Sequence, residues 1–582
     1  MQQNIISKEE KLEVLDQAKE NKTSNVYQSI ALSEIPRLLS LLDRNPYSKT
    51  YGSFSRNYWH YKTFTDFPSA PDQQGVLALA CLYLTNISGN ALYQNEETLK
   101  LIEAGINYWT KIQLPDGSFC EWYPNEHSHV ATAFTSYAIS ESLLLLKNKI
   151  SKNTSENAIK YLKKSGQWLI NNIDTIVLNH TAGAVATLYN IYLLTNDDAF
   201  KKGAKKNLLV LEKLQNNEGW LPEYGSADPG YLGVSIDYLA KYWEKSKDSL
   251  AEKVITKALD FLIWFYQDNT GTTGGEYGSR NIKYILPHGL KILSNNFPNA
   301  AWLGSKLTDS LKENKAINPG TVDDRYFLFF HYPNYALASL TIITQQKQEN
   351  IRQKSFFKYF DSSGLVSIKR DDFHIVLNLK KGGISSICIK DGALNDSGYF
   401  AKVKGIDIVL TSQTSSEVTS LAKTTTLPAT FTIKTNFARL NNNENILKNL
   451  LIPFRIFNYT FGSIPFIMSI FNKVIKKRLV PQSKPSSLLS IERTITIEEN
   501  KLTFDDIIKS EKQGTILDKL SIEPSLSIMH VPSSKYFIPS DLQRDKNFNP
   551  DDISKEFNKK EYLKIKRIIN LNQSDTELII ST

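Results

Sequence analysis

Three segments in the first half of the chain repeat one short pattern. "QLPDGSFCEW" (113–122), "QNNEGWLPEY" (215–224) and "QDNTGTTGGEY" (267–277) each carry a Gln, a central Gly, and a Glu followed by an aromatic residue. Gln113 and Gln215 are 102 residues apart, twice 51, and Gln215 and Gln267 are 52 apart. A unit of that length holds two helices of roughly 15–20 residues and their connections. Between about residues 25 and 345 there is room for about six such units, and repeated helical hairpins bury their apolar faces on their neighbours. The repeat therefore predicts an N-terminal (α/α)6 incomplete toroid. An open solenoid is the competing arrangement.

Local patterning agrees with a helical first half. "GVLALACLYLTNI" (75–87) and "AFTSYAISESLLLLKN" (133–148) place apolar residues at helical spacings. After "TQQKQENIRQKS" (344–355) the pattern changes. "TFTIKTNF" (430–437) and "LLSIERTITIEENKLTF" (488–504) alternate apolar and polar residues and are rich in Ile and Thr, the period of half-buried strands. The expected fold is thus α+β and multidomain, with a helical domain at 1–350 and an antiparallel β-sandwich at 351–582. Length supports two domains, since 582 residues exceed one ordinary core.

Charge and cysteines narrow the function classes. A net charge of +9 suits an anionic partner without demanding one. Basic residues are dispersed apart from one cluster and no groove-reading motif appears, so no nucleic-acid partner is expected. No phosphate-binding glycine loop is present. Cys81, Cys120 and Cys388 lack metal-ligand spacing, so no cofactor is expected, and a divalent metal is left open. The first residues have no basic start followed by an apolar run, which predicts a cytoplasmic location.

The repeat also gathers chemistry. If each hairpin contributes one loop to a common rim, residues of like phase converge. "EWYPNEHSHVATAF" (121–134), "LNHTAGAVATLYN" (178–190), "GWLPEYGSADPGYL" (219–232) and "GGEYGSRNIKYILPHGL" (274–290) supply such groups. An Asn before a helix is by itself an N-cap, and any one loop is by itself a turn. Four at related phase point to a cleft. Its expected substrate-binding residues are Glu121, Trp122, His127, His129, Glu223, Tyr224, Asp228, Tyr277, Arg280 and His288. Aromatic faces suit sugar rings, and Arg forks suit carboxylates.

With "NH" opening a small-residue helix and a Tyr-bearing loop about 50 residues later, after "EGW", the chain resembles the heparinase II/III-like polysaccharide lyases and the related alginate and chondroitin lyases and dermatan sulfate epimerases. The resemblance spans the chain from about residue 50 onward. It implies that Asn179 binds a uronate carboxylate, that His180 is the base or its support, and that Tyr231, or its rival Tyr224, donates to the leaving oxygen. The implied reaction removes the C5 proton of a uronic acid in an acidic glycan. β-Elimination is the first choice, and C5 epimerisation of a lipid-linked or nascent glycan is the alternative. One departure stands out: 374–400 lacks the histidine-bearing loop usual early in that family's sandwich; either Lys380 or Lys381 supplies a positive charge instead, or the segment is a surface hairpin. A hydrolase using Glu121, Glu126, Glu223, Asp228 or Glu276, and a non-catalytic glycan-binding scaffold, are the other classes.

"LLIPFRIFNYTFGSIPFIMSIFNKVIKKRLV" (450–480) fits none of this. It carries no acid and five basic residues, and its uncharged run from Ile456 to Phe471 is too short to span a bilayer. Two roles are open: a segment lying on an anionic membrane, peripheral at its inner face, or a buried excursion or self-association surface.

Overall fold

The computed structural model describes residues 25–581 except 63–64, 281, 284, 342–350, 391, 406–407, 423–424, 441–443, 465, 469, 472–473, 475–484, 523–549 and 573–575. Helices fill the chain up to Leu340, and antiparallel strands dominate from Phe356 onward, the α+β arrangement expected from the change in pattern. The boundary expected near residue 350 falls at 342–350, outside the described residues.

The helices of seven or more residues up to Leu340 are α1 (Val26–Ser33), α2 (Ile35–Leu41), α3 (Gly75–Leu84), α4 (Glu96–Lys111), α5 (His129–Leu146), α6 (Lys152–Asn171), α7 (Leu178–Thr195), α8 (Asp198–Leu214), α9 (Pro229–Ser246), α10 (Ser249–Leu262), α11 (Pro287–Leu293), α12 (Pro298–Lys312) and α13 (Tyr332–Leu340). They are of two kinds. α3, α5, α7, α9, α11 and α13 are buried over most of their length, as helices without a polar face must be. Each packs on the next in that order, and α13 returns to α3. α4, α6, α8, α10 and α12 bury one stripe and expose charged residues such as Lys163 and Lys202. They also contact one another in order, and α12 reaches α1.

The repeat has a physical cause. The Gln113 side-chain amide donates to the Tyr161 carbonyl on α6, and the Gln215 amide to the Val254 carbonyl on α10. Gly117 (φ +93°) and Gly219 (φ +107°) sit where a Cβ would lie 2.5 Å from the Lys164 carbonyl oxygen and 2.1 Å from that of Lys257. Only glycine meets both the backbone angle and the close approach. The first two repeats thus record a loop docked on the following outer helix, whereas Gln267 of the third bonds Ser386 of the small sheet.

The C-terminal part holds two antiparallel sheets. β1 (Phe356–Phe360), β2 (Leu365–Lys369), β3 (Phe373–Asn378), β4 (Ile384–Ile389) and β5 (Gly392–Asp396) lie in sequence order. The larger sheet uses β6 (Tyr399–Val403), β7 (Val409–Thr411), β8 (Glu417–Ser420), β9 (Ala429–Leu440), β10 (Pro485–Ile497), β11 (Lys501–Ser510), β12 (Leu517–Ile522), β13 (Tyr562–Asn570) and β14 (Thr576–Ser581). Its order is β12-β6-β7-β9-β10-β11-β13-β14, with β8 on β9. The two alternating segments singled out in the sequence form β9 and the β10–β11 hairpin.

Ile375 and Ile387 of the small sheet share one core with Phe431, Ile495 and Phe504 of the large one. Every residue of β3 and β4 is buried, whereas an antiparallel sheet usually wets one face. The reason is that the opposite face meets the helices: Ser367 Oγ donates to the Trp264 carbonyl at 2.7 Å, and Gln267 bonds Ser386. Between β9 and β10 the chain leaves the sheet as α14 (Glu444–Phe461), within the unexplained segment. No helix among the described residues is long and apolar enough to cross a membrane.

Candidate active site

Asn179 does not cap its helix. α7 begins at Leu178 with Val177 as N-cap and no side-chain cap bond, so Asn179 is already inside the first turn. Its amide is spent elsewhere: Nδ2 donates to Glu223 Oε2 at 2.7 Å. Backbone pairing brings the two together, because Leu178 N donates to the Pro222 carbonyl and Tyr224 N to the Ile176 carbonyl. The other oxygen of Glu223 accepts from Arg280 Nη1 at 2.9 Å. One buried carboxylate is therefore held by a neutral amide and a guanidinium. Burial raises the Glu223 pKa, and the Arg280 and His180 charges oppose that rise.

Asp228 positions the rest. Its Oδ1 accepts from Tyr231 N at 2.8 Å as the N-cap of α9, and its Oδ2 accepts from Arg280 N at 2.6 Å. The Arg280 guanidinium then lies 4.1 Å from the Tyr231 ring centroid and 5.5 Å from that of Tyr224. Tyr224 has φ +54°, a backbone state that costs a bulky residue about 1–3 kcal/mol. The turn leaves its ring half-buried while Gly225 and Ser226 stand out in solvent.

His180 sits beside this cluster. Its Nδ1 is 3.0 Å from Asp174 Oδ2, which makes Nε2 the nitrogen able to take a proton from elsewhere. The His129 ring stacks on it at 6.1 Å between centroids. Asp174 is itself fixed, accepting from Ile176 N and Val177 N through Oδ1.

A second group borders the first. Glu121 accepts from Arg325 Nη2 at 2.7 Å and from Ser128 Oγ at 3.0 Å. The same guanidinium stacks 3.6 Å from the centroid of Trp122, whose side chain is 39% exposed. Glu126 Oε2 accepts from the backbone N–H groups of Glu121 and Trp122. Burial first, and the Glu121 carboxylate second, raise the Glu126 pKa to about 8. The folded state then holds a proton that the unfolded chain releases near pH 4.3, so this residue's contribution to stability is present below that pH and lost as pH rises towards 8. Glu126→Gln is expected to flatten the fall in melting temperature between pH 5 and 8, read by thermal unfolding across that range. An unchanged slope would remove Glu126 as its source.

Asn179, His180, Tyr231, Glu223, Tyr224, Asp228, Arg280 and His129 thus lie in one cluster, with Glu121 and Trp122 beside it. Three expected binding residues do not join. Tyr277 is 0% exposed, packs on Phe265 and donates its hydroxyl to the Thr273 carbonyl. His127 is tied to Asp116 at 2.7 Å and Ser118 at 2.8 Å, closing its own loop. His288 is buried at the start of α11, where burial first and Lys241 second hold it well below the usual histidine pKa. Each is held by packing within its own part of the fold, apart from the cluster around Glu223.

Residues the sequence did not single out also belong here. Asp174 lies five positions before Asn179, and Arg325 belongs to "DDRYF" (323–327), whose loop has no Gln–Gly signature. Lys381 has the role its hairpin position suggested only in part. Burial lowers its pKa to about 8, and its amine donates to the Glu276 and Gly278 carbonyls at 2.8 Å, bracing the loop that carries Arg280. Lys380 instead bonds the Asp361 and Ser362 carbonyls at the surface. Among the described residues, no group of three or more His, Cys, Asp or Glu could hold a metal ion.

No family model matches the sequence, and no curated protein matches it. Among solved structures, the chain is similar to a chondroitin AC lyase from Streptomyces coelicolor A3 in complex with chondroitin sulphate, at 9% identity over 85% of this chain and 70% of that one, TM-score 0.49. It is similar to heparinase III at 9% identity over 97% and 92%, TM-score 0.47. It is also similar to a GH127 β-L-arabinofuranosidase from Geobacillus stearothermophilus T6, at 10% identity over 96% and 99%, TM-score 0.38. Likeness at this level concerns the course of the chain and carries no chemistry.

Proposed function

We propose that the cleft binds the carboxylate of a uronic-acid residue in an acidic glycan and removes the proton at C5. The observation that carries this is the capture of one carboxylate, that of Glu223, by Asn179 and Arg280 at 2.7 and 2.9 Å beside His180. A pair of donors that holds the Glu223 carboxylate has the chemistry to hold one from a substrate. Glu223 stands in for it and must give up these donors when the glycan enters, which its raised pKa eases by favouring the uncharged acid.

Removal of the C5 proton puts charge on an already anionic carboxylate. Asn179 and Arg280 stabilise that charge where it develops, and His180 Nε2 accepts the proton with Asp174 holding the imidazole in orientation. The electron pair left at C5 forms the C4–C5 double bond as the C4–O bond breaks, and the Tyr231 hydroxyl protonates the departing oxygen. Tyr224 flanks Arg280 from the other side and is the rival donor. In this proposal the rings of helices form an (α/α)6 toroid, the paired sheets a β-sandwich, and the chain is a heparinase II/III-like lyase. If a proton returns to the opposite face of C5 before the C4–O bond breaks, the same groups give an epimerase.

A second reading is favoured by Glu126. A carboxyl kept protonated near neutral pH, near a second carboxyl, Glu223, that is paired with Arg280, resembles the unequal carboxyl groups of a glycoside hydrolase. One experiment separates the three. A panel of acidic polysaccharides is followed for near-ultraviolet absorbance, new reducing ends, and C5 deuterium uptake from heavy water. Absorbance with new ends supports elimination; uptake without shortening supports the epimerase; new ends without absorbance support hydrolysis. Binding with none of these refutes the enzyme.

A further inference from the structure

The apolar excursion between β9 and β10, whose one acid is Glu444 at its start, is not absorbed by the chemistry above. From Asn445 to Ile491 the chain carries seven basic residues and no acidic one. In α14 the positions Ile452, Ile456 and Tyr459 fall at i, i+4 and i+7, one face of a helix, at whose edge the Tyr459 hydroxyl donates to Asp66 at 3.2 Å. They are 71%, 61% and 59% exposed. Phe466 (74%) and Ile470 (51%) continue the apolar surface beyond the helix end. Solvent-facing helix surfaces are normally polar, so the apolar side of this one is turned the wrong way for water.

The opposite side is bolted down. Arg455 pairs with Asp66 at 3.1 Å, and Asn125 Nδ2 donates to the Asn458 carbonyl at 3.2 Å. Phe454 packs against Tyr123 and Phe471. Tyr123 and Asn125 lie on the loop that also holds Trp122 and Glu126, so the outward apolar face stands near that part of the site.

We infer that this face docks on an anionic lipid bilayer, setting the cleft opening beside lipid headgroups. The apolar stripe suits the headgroup–acyl boundary, and the sequence that follows it, with five basic residues between 473 and 484 and no acid before 492, complements anionic lipid. A surface for a second protein copy would not call for forty-seven residues free of acid. The inference does not depend on which reaction the cleft performs.

The test is sedimentation of the full chain with vesicles of phosphatidylcholine alone or mixed with phosphatidylglycerol, at low and high salt. Binding to the mixed vesicles, weakened by salt, is expected, with about a tenfold or greater loss in Ile456→Glu/Phe466→Glu. Melting temperature establishes that the variant folds, and Ile452→Gln is the milder variant should it melt early. Absence of binding to the mixed vesicles, or equal binding by both variants, would overturn the inference. So would a wild-type dimer that ignores vesicles and dissociates in the double variant, since a second copy would then be the occupant.

Discussion

His180→Ala is expected to lower kcat by about 10²–10⁴-fold, the usual contribution of a positioned acid or base. The loss follows from the Asp174–His180 pair, which fixes one ring nitrogen and leaves the other to accept the C5 proton. Asn179→Ala should cost about 10²–10³-fold, as for one donor to a developing anion. It should act on kcat more than on KM, because Arg280 still binds the ground-state carboxylate. Initial rates on whichever polymer gives turnover supply the measurement. Rates within twofold of wild type in both variants would reduce the pair to an ordinary helix start and remove the proposed chemistry.

Arg493→Met is expected to have the largest effect on stability. Arg493 is fully buried in β10, and its Nε donates to Asp506 Oδ1 at 2.7 Å. It lies 3.4 Å from Asp396, which also pairs with Arg567. Removing it strands buried carboxylates at a cost of about 3–5 kcal/mol, a fall of roughly 10 °C in the transition that melts the sheets. The pH dependence has a definite sign. Burial alone would raise the Asp396 pKa, but Arg493 and Arg567 outweigh it and hold the carboxyl well below the usual range. Its stabilising contribution is therefore present above the unfolded value of about 3.9 and is lost as pH falls below it. The variant's deficit should be greatest near neutral pH and shrink towards pH 3. A deficit equal at both pH values would mean that lost packing, not lost charge pairing, is responsible.

The same residue links stability to the site. Arg493 Nη1 approaches the Gly382 and Gly383 carbonyls at 3.5 and 3.4 Å, at the hairpin that carries Lys381. Lys381 in turn braces the loop that presents Arg280. Turnover of Arg493→Met should thus fall as well, and by more than its folded fraction accounts for.

Much of this was legible from pattern. The period near 51 and the switch to period two are properties of local sequence, because helices and strands bury faces at fixed spacings. The Gln–Gly loops were legible for the same reason, since a glycine at positive φ against a helix carbonyl leaves a local mark. His129, His180 and Tyr231 stand at one phase of the repeat, whereas the roles of Asn179, His180 and Tyr231 are implied by the family resemblance.

What the chain could not announce is which member of each repeated pair faces the cleft. Glu121–Trp122, Glu223–Tyr224 and Glu276–Tyr277 look alike as sequence. Tyr277 is lost to the core because the small sheet lies against its loop, with Asn378 Nδ2 donating to the Tyr277 carbonyl at 2.7 Å. Arg325 reaches Glu121 across 204 residues, and the meeting of Asn179 and Arg280 on Glu223 joins one helix start and two loops. The sequence by itself determined the kinds of element and the residue types, amide, imidazole, phenol and guanidinium, that the loops carry. Only the tertiary structure decided which of them meet, because such contacts depend on how distant loops pack and leave no period in the chain that forms them.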